Sequence, residues 1–445
     1  MDVNRRSRVR WRLLAWIFVL SAITFLDRVN ISISGVRVAE EYHFSNVQLG
    51  LLLSSFLWGY AIFQVPGGKL ADRFGPRRVL TGGALWWGVF TALTAAIPVE
   101  TSSAVLVSRP SLALTAALAL FLGGRFVLGA GEAVMFPSSN RFVANWIPSA
   151  ERGTANGVIF AGVGAGACVT PPLITALMIH YGWRVSFWVC AVIGCLAGLV
   201  WFLLAKDTPE EHSGVTASEL ALIVAGRTAS GSSSGNAPSW SSILKSKEVL
   251  ASTFSYFCYG YAAWIFFSWF FIYLVKVRGV NLKLSSFYTT LPFLAMALGS
   301  PLGGAISDAV TRRRGKRLGR CGIAVFGMGL AALLITAGSS VKGTGLASVV
   351  LASGVGALYL AQSSFWALTA DIAGPSAGSV SGLMNAGGQA GGAVTAFLTP
   401  AIAARFGWAA SFLVAAALCT LGAAAWLLVD PGRVLVHEIH APPPG

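Results

Sequence analysis

The chain reads as an all-α polytopic membrane protein, with twelve transmembrane helices in two pseudo-symmetric six-helix halves. Three observations carry that expectation: repeated apolar runs of membrane-crossing length, basic residues gathered in alternate connections, and an internal repeat at a fixed offset. Of 445 residues, 55% are hydrophobic and 11% charged. A soluble protein of that length has too few interior positions to hide so much apolar surface. Runs of about 20 apolar residues match a hydrocarbon core roughly 30 Å thick. Lipid offers no partner to an open backbone N–H or C=O, so each run must be helical.

The spans fall near residues 13–34, 48–68, 79–97, 113–136, 153–174, 184–205, 249–275, 285–306, 320–338, 345–368, 377–401 and 408–429. The first follows MDVNRRSRVRWR, which begins like a signal peptide. The apolar run behind it is long, carries charge and lacks a small-residue cleavage site, so it reads as a retained helix. Placing the N-terminus inside collects about 22 of the 32 Lys and Arg residues on that side, against about 8 outside. That bias puts both termini in the cytoplasm. The net charge of +15 is spread through these short connections, which argues against a nucleic-acid partner. All six cysteines lie in or beside apolar runs and imply free buried thiols. No phosphate-cradling loop, HExxH or metal-spaced His/Cys set occurs, so no enzyme activity, metal or cofactor is expected.

Residues 1–206 form the first half, 207–248 a linker, 249–430 the second half and 431–445 a tail. The linker contains the flexible, Gly/Ser-rich stretch GRTASGSSSGNAPSW, preceded by HSGVTASELALIVAG, which can form a short surface helix. The halves match each other. GTANGVIFAGVGAGA from Gly153 aligns with GSVSGLMNAGGQAGG from Gly378 at a shift of 225, and the same shift carries YGWRVSFW at Tyr181 onto FGWAASFL at Phe406. GGKLAD ending at Asp72 and GGAISD ending at Asp308 are shifted by 236. Small residues also pack membrane helices without any repeat, but two matches sharing one offset favour the repeat. Six spans repeated as six more is the architecture of a transporter whose halves rock about a midplane site.

Four ionisable residues lie deep in apolar runs: Asp27 and Arg28 in ITFLDRVNIS, and Arg125 and Glu132 in the fourth span. Each costs about 2.5–3.5 kcal/mol on insertion scales, so unpaired they would cost roughly 10–14 kcal/mol together. They are expected to face a wet cavity or one another. Asp27 and Arg28 point about 100° apart, so one can face the cavity while the other meets a helix. Arg125 and Glu132 lie two turns apart on one face, about 10 Å along the axis. That spacing leaves Glu132 free to take a proton. A static ion-pair network that fixes helix packing is the competing reading.

GGKLADRFGPRR, built on Gly68, Asp72, Arg73 and Gly75, resembles the loop between the second and third helices of the major facilitator superfamily. Pro76 stands where that family often has a basic residue. The loop suits a glycine-tight turn with an aspartate placed to meet helix N-termini or basic side chains. FLDRVNIS together with GGRFVLGAGEAVMFPSSNRFVANWIPSAERGTANG resembles the anion:cation symporter branch, as do SWFFIYLVKVRG, FWALTADIAG and SVSGLMNAGGQAGG. The branch includes carriers of hexuronates, galactonate, glucarate and phthalate and animal vesicular glutamate carriers.

The resemblance implies the major facilitator fold and proton-coupled symport of a small organic anion, a sugar acid such as a hexuronate or aldonate being the first candidate. It implies that Arg28 contacts the substrate carboxylate, that Asp27 and Glu132 carry protons, and that Arg125 is a charge partner. It further implies substrate contacts from Tyr60, Tyr256, Ser364, Trp366, Asn385 and Gln389. Trp366 could instead belong to an interfacial belt, and Asn385 and Gln389 could bond between helices. The partners implied are the anion, protons and the lipid bilayer, for a monomer with the proton gradient as its energy source. The Arg-, Ala- and Gly-rich usage points to a bacterial inner membrane. A sodium- or chloride-linked carrier, an uncoupled facilitator and a membrane sensor without flux are the alternatives.

Overall fold

A computed structural model describes residues 8–44, 46–98, 110–228, 239–270, 273–274 and 277–435. Among the described residues there are fifteen α-helices and no strands. In the first half these are α1 (Val9–Tyr42), α2 (Asn46–Phe74), α3 (Pro76–Ala95), α4 (Pro110–Glu132), α5 (Met135–Trp146), α6 (Arg152–Tyr181) and α7 (Trp183–Leu204). The linker holds α8 (Ala217–Thr228) and α9 (Trp240–Lys245). The second half has α10 (Lys247–Ser268), α11 (Leu282–Arg314), α12 (Ile323–Ser340), α13 (Thr344–Ala373), α14 (Ala377–Phe406) and α15 (Trp408–Ala425). Twelve helical units thus follow the twelve apolar runs, α4 and α5 together making the fourth. Eight stretches among the described residues are long and apolar enough by themselves to cross a membrane. Several helices run a turn or more past the apolar boundary, because a helix need not stop where lipid does.

The fourth unit breaks at residues 133–134. Pro137 accounts for the break, since it lacks an N–H and its ring crowds the carbonyl of Ala133 four residues back. The internal repeat is visible in the backbone. Gly182 and Gly407, 225 apart, adopt φ +83° and +84° at the turns after α6 and α14, conformations an L side chain rarely takes. Gly75, with φ +83°, makes the tight turn between α2 and α3.

The halves meet along α6 with α11 and α2 with α14. At the end that carries the start of α1 and the linker, two aspartates bind the opposite half in the same way. Asp72 accepts from the N–H groups of Gly378 and Ser379 at 2.9 and 2.7 Å, at the start of α14. Asp308 accepts from the N–H groups of Gly153 and Thr154 at 2.9 and 2.6 Å, at the start of α6. Each carboxylate satisfies orphan donors and meets the positive end of a helix dipole. The backbones close in around these caps. A Cβ on Gly68 would lie 2.2 Å from the Gly378 carbonyl oxygen, and one on Gly304 2.2 Å from that of Gly153.

Beside them lies a buried charge cluster that the sequence reading did not assign. Arg152 pairs with Asp371 at 2.7 Å across the halves, and Arg320 pairs with Asp308 at 2.6 Å and Asp371 at 3.3 Å. The linker is also partly tied down. Glu219 of α8 is buried and accepts from the N–H groups of Val9 and Arg10, both at 3.3 Å, and from the Arg10 guanidinium at 3.1 Å. The start of α1 is therefore capped by the linker helix. Residues 229–238, the Gly/Ser-rich stretch, lie outside the described residues.

Replacing Asp371 by alanine leaves two buried guanidinium groups without their shared carboxylate. Truncating one partner of a buried pair costs about 3–5 kcal/mol, so Asp371→Ala is expected to melt well below the wild type in detergent, as read by differential scanning fluorimetry.

Candidate functional site

A cavity of about 70 Å³ opens between the halves. The first half contributes Arg28 from α1 and Tyr60 from α2, and the second half Tyr256 from α10, Gln362 from α13, and Asn385 and Gln389 from α14. Between these polar groups the walls are aromatic, including Phe25, Phe136, Phe160, Trp264 and Phe267.

Arg28 is the charged group at the wall. Its Nε donates to Oε1 of Glu132 at 2.6 Å, the Glu132 side chain being fully buried and that of Arg28 11% exposed. Its guanidinium stacks 4.2 Å from the Tyr60 ring centroid and 5.3 Å from that of Phe56. Arg125 approaches the same Phe56 ring at 4.8 Å. Two cations thus stand over one ring. Two further bonding positions are unused: Arg28 Nη2 and Glu132 Oε2 have no hydrogen-bond partner among the described residues.

The α4 break places Glu132 there. Ending α4 at Glu132 sets its carboxylate at the level of Arg28, so it reaches across to another helix. This corrects the expectation that the spacing from Arg125 leaves Glu132 free: it is paired, with a partner 104 residues away in the chain. Arg125 does not line the cavity; it is 2% exposed and lies behind Phe56, and its Nε and Nη1 have no hydrogen-bond partner among the described residues.

Asp27 and Arg28 diverge as neighbours on a helix should. Asp27 is 2% exposed and turns away from the cavity into the first half, where the Thr91 side chain of α3 lies beside it. Neither carboxylate oxygen has an ion-pair or hydrogen-bond partner among the described residues. The nearby Asn30 packs α1 on α7, accepting from Ser186 Oγ at 2.9 Å.

On α13 the expectation for Ser364 and Trp366 needs correction. Ser364 is fully buried and its Oγ faces Ser307 of α11 at 3.5 Å, away from the cavity. Gln362 lines the cavity instead, because two residues along a helix turn the side chain about 200°. Trp366, one turn beyond Gln362, is also buried below the wall. Its Nε1 donates to Tyr256 Oη at 3.1 Å, and Gln362 Nε2 donates to the same oxygen at 2.9 Å. Trp366 therefore holds Tyr256 and is not an interfacial belt residue. Of the loop residues, Gly68 and Asp72 pack on α14, Gly75 makes the turn, and Arg73 is exposed over Phe74 at 5.3 Å.

The sequence reading missed Gln362 and Gln64. Both are amides inside apolar runs, and extending the cost of buried polar groups from charges to amides would have found them. Among the described residues no cluster of His, Cys, Asp and Glu is arranged to hold a metal ion.

Two six-helix halves around a polar and aromatic cavity, with a buried guanidinium at its wall, define a membrane transporter and not an enzyme. Residues 17–396 match the model of the Major Facilitator Superfamily, and the chain belongs to that family. It is 32% identical over 431 residues to the probable sulfoacetate transporter SauU of Cupriavidus necator, covering 96% of each chain. It is 30% identical to the hexuronate transporter of Bacillus subtilis, covering 88% of each. It is 29% identical to the probable galactarate/D-glucarate transporter GudP of Escherichia coli, covering 98% of this chain and 96% of that one. Among solved structures, the proton:xylose symporter XylE bound to 6-bromo-6-deoxy-D-glucose has the same fold, with a TM-score of 0.76 at 14% identity over 97% of this chain and 98% of that one. The fold is thus the major facilitator fold, and the chain is a multi-pass membrane protein.

Tyr256→Phe removes the oxygen that accepts from both Gln362 and Trp366 and leaves two buried donors unpaired. At about 1–3 kcal/mol for each unsatisfied group, the variant is expected to lose thermal stability in the absence of any ligand, while Tyr259→Phe, tested alongside, loses less.

Proposed function

We propose that the protein is a proton-coupled symporter of a small organic anion, with a sugar acid as the first candidate substrate. The observation that carries this reading is the Arg28–Glu132 contact at 2.6 Å on the cavity wall. A guanidinium stays charged and offers paired donors to a carboxylate. An incoming anion and Glu132 compete for that one cation. Once the anion takes Arg28, the displaced carboxylate is buried and unpaired, which costs several kcal/mol unless it is protonated. Binding the anion and protonating Glu132 thus favour each other, which is the requirement for symport. Asp27, buried with no hydrogen-bond partner among the described residues, is the second proton carrier in this scheme, and Arg125 keeps positive charge near both acids.

The relatives support an organic acid as cargo, since their names specify sulfoacetate, hexuronate and galactarate/D-glucarate. Tyr60, Tyr256, Gln362, Asn385 and Gln389 offer donors and acceptors to sugar hydroxyls. A compact sulfonate-bearing acid is the second reading, supported by the likeness to the probable sulfoacetate transporter. The basic residues of the connections support a plasma-membrane protein with both termini in the cytoplasm, working as a single chain.

The test is uptake into proteoliposomes under an imposed pH gradient, with labelled D-glucuronate, D-glucarate and sulfoacetate. Wild type is expected to accumulate at least one acid uphill. Glu132→Gln and Asp27→Asn are expected to lose uphill uptake, with Glu132→Gln retaining exchange of anion for anion. Undiminished proton-driven accumulation by both variants would overturn the scheme, and accumulation that follows a sodium gradient would favour the sodium-linked alternative.

A further inference from the structure

One hydrogen bond joins the two halves through a side chain of the cavity wall. Asn385 of α14 donates from Nδ2 to Oε1 of Gln64 on α2 at 2.9 Å. The other described hydrogen bonds between the halves use residues outside the wall, such as Asp72 with Gly378, Asp308 with Gly153, and Asn140 with Thr369. Asn385 lies eight residues from the start of α14, about 12 Å above the aspartate caps. The bond therefore forms the floor of the cavity on the side of the termini.

The surroundings make this contact tight. Gln64 is fully buried and Asn385 is 3% exposed. A Cβ on Gly382 would lie 2.6 Å from the Gln64 carbonyl oxygen, so the α2 and α14 backbones meet here with no room for a side chain between them. Gln64 Nε2 has no hydrogen-bond partner among the described residues, where the bond from Asn385 is the one that holds its amide. Opening the cavity toward the termini requires α2 and α14 to part, and the bond must then break.

The geometry points to Gln64 as a positioning residue that ties cavity occupancy to the interface between the halves. It deepens the transport reading and rests on it. In the empty protein Gln64 holds Asn385 across the seam and keeps the floor shut. A ligand oxygen that accepts from Asn385 turns the planar amide toward the cavity and takes it from Gln64. The seam then loses its uppermost bond only when the cavity is loaded, so the loaded protein opens more readily than the empty one. Asn385 touches the ligand in this scheme, whereas Gln64 acts through it.

The experiment is a double-mutant cycle read as conformation. Spin labels are placed at Arg12→Cys and Arg314→Cys, both exposed and on opposite halves, with the six native cysteines replaced by alanine. Distance distributions are recorded in lipid without any ligand. Gln64→Leu and Asn385→Leu are each expected to raise the ratio of long to short distances about fivefold, the size expected for one net hydrogen bond. The double variant is expected to shift no further than either single one, because both remove the same bond. Gln64→Met, closer in length to glutamine, should behave as Gln64→Leu does and guards against a folding defect in one variant. Unchanged distributions in both Gln64 variants overturn the proposal, and so do shifts that add in the double variant. The readout needs no substrate. If D-glucuronate, D-glucarate and sulfoacetate all fail in proton-driven uptake, the proposed function falls while the Gln64 result stands.

Discussion

A guanidinium held against a carboxylate inside a membrane is the constraint around which the rest of this structure is arranged. Arg28 and Glu132 come from different helices and meet at 2.6 Å. Neither charge could be placed there alone, because each would lose its hydration without compensation. Phe56 and Tyr60 present ring faces to the cation, and the α4 break carries the carboxylate to it. The pair leaves Arg28 Nη2 unused, so the contact can be shared or replaced without first dismantling the cavity wall. In the proposed cycle this replaceability couples the anion to the proton.

The other end of the molecule solves a different problem with the same chemistry. Two aspartates, Asp72 and Asp308, each cap a helix of the opposite half. The caps are local, hydrogen-bonded and fully formed, so the interface is either made or broken; little is gained by a partial separation. Arg152, Arg320 and Asp371 add a buried network at the same level. A two-state element of this kind is what a carrier needs if the cavity is to open to one side at a time. Gln64 and Asn385 stand between the caps and the cavity, where a change in one can be felt by the other.

Several features are legible in the residues alone. Helical spans follow from apolar run length and from the impossibility of unpaired backbone in lipid. The equivalence of Asp72 and Asp308 follows from the match of GGKLAD to GGAISD, and the structure gives them equivalent bonds. Arg28, Tyr60, Tyr256, Asn385 and Gln389, which the family resemblance implies as substrate contacts, fall together in one cavity. Ser364 did not follow: its place on α13 is set by helical phase, which turns it toward Ser307 and brings Gln362 to the wall. Trp366 kept the right face but sits one turn too deep.

By itself, the sequence determined the number and approximate placement of the spans, the two-fold repeat and the existence of a small set of buried charges. These depend on local composition and on transfer free energies, which each segment carries wherever it lies. It did not determine who pairs with whom. Spacing along one helix left Glu132 without a partner near at hand, yet Arg28 lies 104 residues away in the chain and 2.6 Å away in space. The cross-half contacts of Asp371, Arg152 and Gln64 have the same character. Such pairings depend on how helices rotate and approach, and only the packing of the whole bundle sets that.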